Sequence, residues 1–102
     1  MEVIFTKAYL QELYMFGRSQ NKKHTFQPNI VLRYKQAIDK LRAARHVEEL
    51  YVIRSLRYKK LSGDKSGISS VRVNDQYRIE FIISKKGMLQ ILRILELSNH
   101  YT

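Results

Sequence analysis

The sequence contains no cysteine and only three histidines, which stand far apart at positions 24, 46 and 100. Without cysteine the chain can form neither disulfides nor thiolate metal sites. The histidines show none of the spacings typical of metal ligands. A glycine-rich phosphate loop and the pattern of a nucleophilic triad are missing as well. We therefore expect neither a metal ion nor any other cofactor.

Long hydrophobic runs are also missing. None approaches the roughly 18 residues that a membrane-spanning helix requires. Residues 1–5 have neither the basic part nor the long apolar part of a secretory signal peptide. These absences favour a cytoplasmic protein that does not bind a membrane.

Acidic residues are scarce relative to basic ones. Nineteen Lys and Arg residues face nine Asp and Glu residues, which gives a formal net charge of +10 at pH 7. A field of this sign attracts polyanions and raises their rate of encounter. The charge alone leaves nucleic acid, an acidic protein or an anionic membrane as partners, and it also fits a merely soluble basic protein.

The first half of the chain has helical periodicity. A β-prone run at residues 2–5 precedes a helix predicted over residues 7–16, with Thr6 as its N-cap and Gly17 at its end. A basic loop leads to Pro28, which suits the first turn of a second helix that ends near Arg45. Residues 48–56 are ambiguous, and we interpret them as a helical turn that runs into extended chain.

The second half has the alternation of strands. Turn-forming residues at 62–67, 74–76 and 85–87 bound predicted strands at 70–73, 77–83 and 89–97. Apart from Gln90, Arg93 and Glu96, the last strand is apolar on both faces, as is typical of a central strand. The layout predicts one α+β domain over residues 1–102, in which an N-terminal strand and two helices pack on a small antiparallel sheet.

The alternation also predicts the register of the first hairpin. A three-residue connection at 74–76 places all the apolar residues of both strands on one face; these are Val71, Val73, Tyr77, Ile79 and Phe81. The same register sets Arg72 directly opposite Arg78 on the other face. Like charges in this position destabilise a sheet. The pair is tolerable if it is solvated, if Glu80 lies diagonal to it, or if an anion binds between the two arginines.

Four segments resemble the RelE superfamily of bacterial toxin ribonucleases, and most closely its HigB and YoeB branches. In order they read LSGDKSG at 61–67, SVRVN at 70–74, YRI at 77–79 and LELSNHY at 95–101. The first half of the chain matches the superfamily only in layout. The resemblance implies a RelE-like fold for the single domain.

The resemblance also implies a function. Members of these branches are toxins that bind the 70S ribosome and cut messenger RNA in the A site without a metal ion. The 2′-hydroxyl attacks the adjacent phosphorus and expels the 5′-oxygen. A cognate antitoxin neutralises the toxin, and in the HigB branch it is often a HigA-like helix-turn-helix protein.

Site residues follow from the matching segments. Arg72 and Arg78 match the two strand arginines that stabilise charge on the scissile phosphate. His100 and Tyr101 match the histidine–tyrosine ending of YoeB-like members, in which the histidine is an acid–base candidate and the tyrosine positions or protonates. Further candidate RNA contacts are Lys60, Lys65, Arg93 and Asn99.

The chain departs from the pattern at the base position. Relatives place a glutamate or histidine just before the Leu-x-Gly turn, where this chain has Lys59 and Lys60, and Ser62 replaces a HigB lysine. HigB members end in an acidic residue followed by tyrosine and histidine. In this chain Asn99 stands in place of the acidic residue, and His100 comes before Tyr101. A lysine among many cations gives up its proton more readily, so Lys59 is a catalytic candidate beside His100, and ribosomal RNA is a third.

Two other functions stay open. One is a non-catalytic toxin of the ParE kind that binds and inhibits DNA gyrase, for which the lysine at the base position leaves room. The other is a basic module that only binds RNA or the ribosome. His100 and the paired arginines favour the ribonuclease.

Overall fold

The computed structural model describes residues 1–99, and their architecture is α+β, as predicted. The elements in chain order are β1 (Glu2–Phe5), α1 (Ala8–Phe16), α2 (Pro28–Ala43), β2 (Lys59–Lys60), β3 (Ser69–Arg72), β4 (Tyr77–Lys86) and β5 (Leu89–Asn99). Short 3₁₀ helices occupy Lys22–His24, Val47–Tyr51, Arg54–Leu56 and Gly63–Lys65. No helix within residues 1–99 has both the length and the apolar character needed to cross a membrane.

Helix α1 begins one residue later than predicted and ends where predicted. Gly17 adopts the left-handed conformation at φ 77°, and its N–H donates to the Leu13 carbonyl at 3.1 Å. The prediction of Thr6 as N-cap is wrong. Lys7 occupies that position without a side-chain cap, because the Thr6 hydroxyl instead donates to the carbonyl of Ile94 at 2.7 Å and ties the helix start to β5.

Helix α2 begins at Pro28 as predicted and ends at Ala43. Its apolar stripe is buried against α1 and the sheet; the buried residues are Ile30, Val31, Tyr34, Ala37, Ile38 and Leu41. Tyr34 is fully buried, and its hydroxyl donates to the Leu10 carbonyl at 2.7 Å. This hydrogen bond satisfies a polar group inside the core and joins the two helices.

The sheet has the strand order β1-β5-β4-β3-β2. It is mixed rather than antiparallel, because β1 runs parallel to β5 while the other neighbours are antiparallel. Strand β2 was missed, since two lysines give no strand pattern. Residues 48–56 contribute to two 3₁₀ helices and not to extended chain.

The predicted register of the first hairpin is confirmed. Val71 pairs with Ile79, and Arg72 pairs with Arg78. A bulge interrupts the next ladder, because Glu80 pairs with Glu96 while Phe81 pairs with Ile94. The bulge shifts the alternation of β5 by one residue, so that the core face receives Leu92, Ile94 and Leu97.

Candidate active site

Two pairs of like charges lie in neighbouring rows on the face of the sheet that points away from the core. Arg72 is opposite Arg78, and one row further Glu80 is opposite Glu96. Like charges directly opposite each other destabilise a sheet unless they are compensated. The two pairs differ in how the chain compensates them.

The carboxylate pair is neutralised by the chain itself. Lys65 Nζ lies 2.7 Å from Glu80 Oε2, and Lys7 Nζ lies 2.6 Å from Glu96 Oε2. The Tyr9 hydroxyl also donates to Glu96. Partial burial acts to raise the pKa of Glu96, but the hydrogen bonds from Lys7 and Tyr9 outweigh it and hold that pKa below its usual value.

The arginine pair is only half neutralised. Arg72 Nη2 donates to Asp75 Oδ1 at 2.5 Å, and Asp75 is almost fully exposed at the turn. The hydrogen bond and positive charge of Arg72 hold the pKa of Asp75 below its usual value. Within residues 1–99 no carboxylate forms an ion pair with Arg78.

Arg78 is buried and held by neutral acceptors. Only 9% of the residue is exposed. Its Nε donates to Ser70 Oγ at 2.8 Å, and its Nη2 donates to the carbonyls of Arg57 at 2.7 Å and Ser70 at 3.3 Å. Burial and the charges of Arg72 and Arg57 lower the pKa of Arg78. A buried cation without a counter-ion is costly, so this position favours the arrival of an anion.

A cavity of about 510 Å³ opens over the two arginines. Its lining residues are Arg57, Tyr58, Lys59, Arg72, Asn74, Asp75 and Arg78. Four of them are cationic and one is a carboxylate, so the cavity is strongly positive. The volume falls within the roughly 300–1,000 Å³ typical of ligand sites. These features suit a phosphate-bearing ligand, because guanidinium groups donate two parallel hydrogen bonds to phosphate oxygens.

The turn that carries Asp75 is held by Asn74. Asn74 Oδ1 accepts hydrogen bonds from the backbone N–H groups of Gln76 at 2.9 Å and Tyr77 at 2.7 Å. The Val73 N–H donates to the Tyr77 carbonyl at 3.0 Å and closes the connection predicted at 74–76. The turn thus fixes the position of Arg72 relative to Arg78.

Strand parity explains why one lysine of β2 reaches the cavity and the other does not. Lys59 pairs with Ser70, which lies on the same face as Arg72 and Arg78, and Lys59 lines the cavity. Lys60 pairs with Ser69 and points to the other face. The structure therefore brings together three of the predicted catalytic residues, Arg72, Arg78 and Lys59.

The other predicted site residues lie elsewhere or beyond the described part. Lys65 is paired with Glu80, and Arg93 is exposed on β5 opposite Ile82, so neither lines the cavity. Asn99 pairs with Tyr77 at the end of β5, and Tyr77 directly precedes Arg78 on β4. His100 and Tyr101 lie outside the described residues.

Four cavity residues were not predicted as part of the site: Arg57, Tyr58, Asn74 and Asp75. The predicted turn at 74–76 places Asn74 and Asp75 next to the arginines, but its sequence does not indicate the ion pair between Asp75 and Arg72. Arg57 carried no motif at all. Within residues 1–99 no group of three or more His, Cys, Asp or Glu side chains is arranged to hold a metal ion.

Comparisons with solved structures show the same fold in bacterial toxins. A YoeB/ParE toxin from Agrobacterium tumefaciens superposes with a TM-score of 0.61 at 19% identity, covering 99% of this chain and 100% of the other. The YoeB dimer from Staphylococcus aureus gives a TM-score of 0.53 at 18% identity, covering 99% and 98%. At these identities the likeness concerns the fold alone.

Sequence comparison identifies the family. No curated protein matches the chain significantly. The family model of the HigB-like toxins, described as RelE-like toxins of the type II toxin–antitoxin system HigB, matches residues 4–93. This match spans most of the chain, both halves included. The chain therefore belongs to the HigB-like family of RelE-like toxins from type II toxin–antitoxin systems.

Proposed function

We propose that this toxin is a metal-independent endoribonuclease that cuts messenger RNA in the A site of the 70S ribosome. The observation that carries the proposal is Arg78, a buried guanidinium with no carboxylate partner among residues 1–99, set opposite Arg72 in a positive cavity. Toxins of this family generally cleave messenger RNA and have an antitoxin partner.

The reaction is an internal transfer within the RNA. The 2′-oxygen forms a bond to the adjacent phosphorus, and the bond from phosphorus to the 5′-oxygen breaks. A base accepts the 2′-hydroxyl proton, and an acid protonates the leaving oxygen, so the products are a 2′,3′-cyclic phosphate and a 5′-hydroxyl. The protein must align these atoms, neutralise charge on the phosphoryl oxygens and transfer protons.

Arg78 is suited to neutralise the developing charge. Ser70 and the Arg57 carbonyl fix its guanidinium before any ligand arrives, so it needs no reorganisation during the reaction. Arg72 is more accessible and exchanges its exposed partner, Asp75, for a phosphoryl oxygen. One donor of this kind typically contributes about 10²–10³ in rate.

Proton transfer has one candidate in the cavity and two beyond the described residues. Lys59 shares the face and the cavity of the arginines. His100 and Tyr101 directly follow β5, whose last described pairs join Ser98 to Arg78 and Asn99 to Tyr77. A neutral imidazole is the more effective base near neutral pH, so we assign the proton transfer to His100 with Lys59 as the alternative.

The proposed partners follow from the charge and the family. The net charge of +10 attracts the toxin to ribosomal and messenger RNA in the cytoplasm. The antitoxin is proposed to be a HigA-like helix-turn-helix protein.

The test is cleavage of a defined message with and without ribosomes. We expect cuts in the A-site codon only when ribosomes are present, with 2′,3′-cyclic phosphate and 5′-hydroxyl ends. A message with a 2′-deoxynucleotide on the 5′ side of the scissile bond should resist cleavage, because the attacking oxygen is absent. Cleavage of that message would contradict the proposed chemistry.

One observation favours a non-catalytic, ParE-like toxin as the second candidate. The cavity holds Lys59 at the position where related ribonucleases place a glutamate or histidine. Inhibition of DNA gyrase by the purified toxin, with ribosome-bound message left intact, would overturn the ribonuclease and establish this second function.

A further inference from the structure

Arg57 has an unusual backbone conformation. Among residues 1–99 it is the one residue other than glycine with a positive φ, at φ 43° and ψ 51°. Side chains larger than those of Asn and Asp rarely occupy this left-handed region, and such outliers concentrate at functional sites. The conformation must therefore be held in place by its surroundings.

The neighbours of Arg57 show what holds it. Leu56 is 1% exposed and Tyr58 is 8% exposed, so buried side chains anchor the chain on both sides. The Arg57 N–H donates to the Arg54 carbonyl at 3.1 Å and ends the 3₁₀ helix Arg54–Leu56. The Arg57 carbonyl then accepts the hydrogen bond from Arg78 Nη2 at 2.7 Å. The left-handed turn thus positions the buried arginine through a backbone atom.

The side chain of Arg57 is not needed for that contact. It is exposed and lines the cavity together with Arg72 and Arg78. Its guanidinium forms no ion pair with any carboxylate of residues 1–99. Its charge lowers the pKa of both Arg78 and Asp75, so it acts on the buried arginine and on the carboxylate that Arg72 holds. A third cation here adds repulsion that an anion in the cavity relieves.

We propose that Arg57 is a third arginine of the phosphate site, with two separable roles. Its carbonyl positions Arg78, and its guanidinium contacts a non-bridging oxygen of the phosphate that Arg72 and Arg78 hold. The ligand class is an RNA phosphodiester. This inference rests on the proposed ribonuclease function, and it adds a catalytic residue for which the sequence shows no motif.

A glycine substitution separates the two roles. Arg57→Gly keeps the carbonyl and accommodates the positive φ, but it removes the guanidinium. Arg57→Asn is a second variant that tolerates the left-handed region. The matched control is Arg54→Ala, which removes an exposed positive charge from the same segment but lies outside the cavity. We expect Arg57→Gly to slow single-turnover cleavage of ribosome-bound message about 10²-fold, with Arg54→Ala within about twofold of the wild type.

The kinetic pattern and a ligand measurement decide the outcome. We expect kcat to fall and the melting temperature of Arg57→Gly to stay equal or rise. A wild-type rate in both Arg57 variants, or a change in KM alone, would overturn the contact with the scissile phosphate. Inorganic phosphate, compared with chloride at equal ionic strength, should raise the melting temperature of the wild type more than that of Arg57→Gly. If the wild type cleaves no message yet shows this difference, the ribonuclease proposal fails while the anion role of Arg57 stands.

Discussion

At the scale of residues, Arg72 and Arg78 face each other in the ladder but have different surroundings. Arg78 is buried and held by Ser70 and a backbone carbonyl, whereas Arg72 is partly exposed and holds Asp75 at the turn. A fixed donor and an exchangeable donor are suited to binding one phosphate between them. Asp75 then competes with that phosphate for Arg72.

Removing the competing carboxylate should strengthen phosphate binding. We expect Asp75→Asn to bind a short RNA about twofold to fivefold more tightly than the wild type, the scale of an exposed ion pair. Asn keeps the size of the side chain and its turn preference. Fluorescence anisotropy at fixed salt measures the change, and Asp64→Asn, on the exposed 3₁₀ helix Gly63–Lys65, is the charge-matched control. Weaker binding by Asp75→Asn would show that Asp75 instead helps to orient Arg72.

The assignment of proton transfer is tested at His100. His100→Gln should slow cleavage of ribosome-bound message by about 10²–10⁴-fold if the imidazole transfers a proton. The wild-type pH–rate profile should have an acidic limb, because a histidine titrates near about pH 6.5. This limb should be absent from the profile of the variant. An unchanged rate and profile would move the role to Lys59 or to ribosomal RNA.

At the scale of elements, α1 is joined to β5 by one polar cluster. Lys7 and Tyr9 both donate to Glu96, and Tyr9 accepts from the Leu97 N–H at 3.0 Å. Strand β1 pairs with β5 only as far as Ile94, so the cluster continues the attachment beyond the end of that ladder. The bulge on β5 also lies here, next to Glu96.

This cluster should make stability depend on acid pH. The folded-state pKa of Glu96 lies below its ordinary value of 4.5. Its stabilisation is therefore fully present above the unfolded pKa and is lost as the pH falls through the folded pKa. We expect Glu96→Gln to lower the free energy of unfolding at pH 7 by roughly 1 kcal/mol or less, and the difference from the wild type to shrink towards about pH 3.

Urea denaturation at both pH values measures the difference. Glu2→Gln, an exposed carboxylate on β1, makes the same change in charge and should leave the free energy of unfolding nearly unaltered at both. A gap between Glu96→Gln and the wild type that stays constant down to pH 3 would contradict the charge-based account of the cluster.

At the scale of elements, part of the fold could be predicted from the sequence. Alternation of apolar residues was enough to predict the arginine pair, because a one-residue slip exposes the whole apolar set. Strand β2 could not be predicted, since two lysines pair through their backbone alone. The bulge on β5 was hidden because Leu95 extends an apolar run without changing its appearance. Arg57 was missed because its role depends on a backbone conformation that its residue type disfavours.

At the scale of the whole molecule, the fold pairs some of the cations with carboxylates and gathers others in the cavity. Lys7 and Lys65 are used to neutralise carboxylates, while the cavity keeps four cations against Asp75 alone. Contacts with phosphates release counter-ions, so affinity for RNA falls steeply with salt. In the proposed function, this field brings RNA to the molecule, and the arginine pair determines where a phosphate is held.

The salt dependence of RNA binding tests this division. The logarithm of the association constant for single-stranded RNA should fall linearly with the logarithm of salt concentration. Arg72→Ala should reduce the slope by about 0.7, the value expected for one lost phosphate contact. Arg45→Ala, whose side chain is 88% exposed and lies outside the cavity, should leave the affinity and the slope nearly unchanged. Equal slopes for wild type and Arg72→Ala would show that Arg72 contacts no phosphate.

The measurement that tests the central claim most directly is the single-turnover rate of cleavage of ribosome-bound message by wild type, Arg72→Ala and Arg78→Lys. Arg78→Lys keeps the buried charge but loses the planar fork, and Arg72→Ala removes a partly exposed side chain. Circular dichroism melts of both variants serve as the control for folding. We predict that each variant cleaves at least about 10²-fold more slowly than the wild type. Cleavage at the wild-type rate by either folded variant would contradict the claim that Arg72 and Arg78 together hold the scissile phosphate.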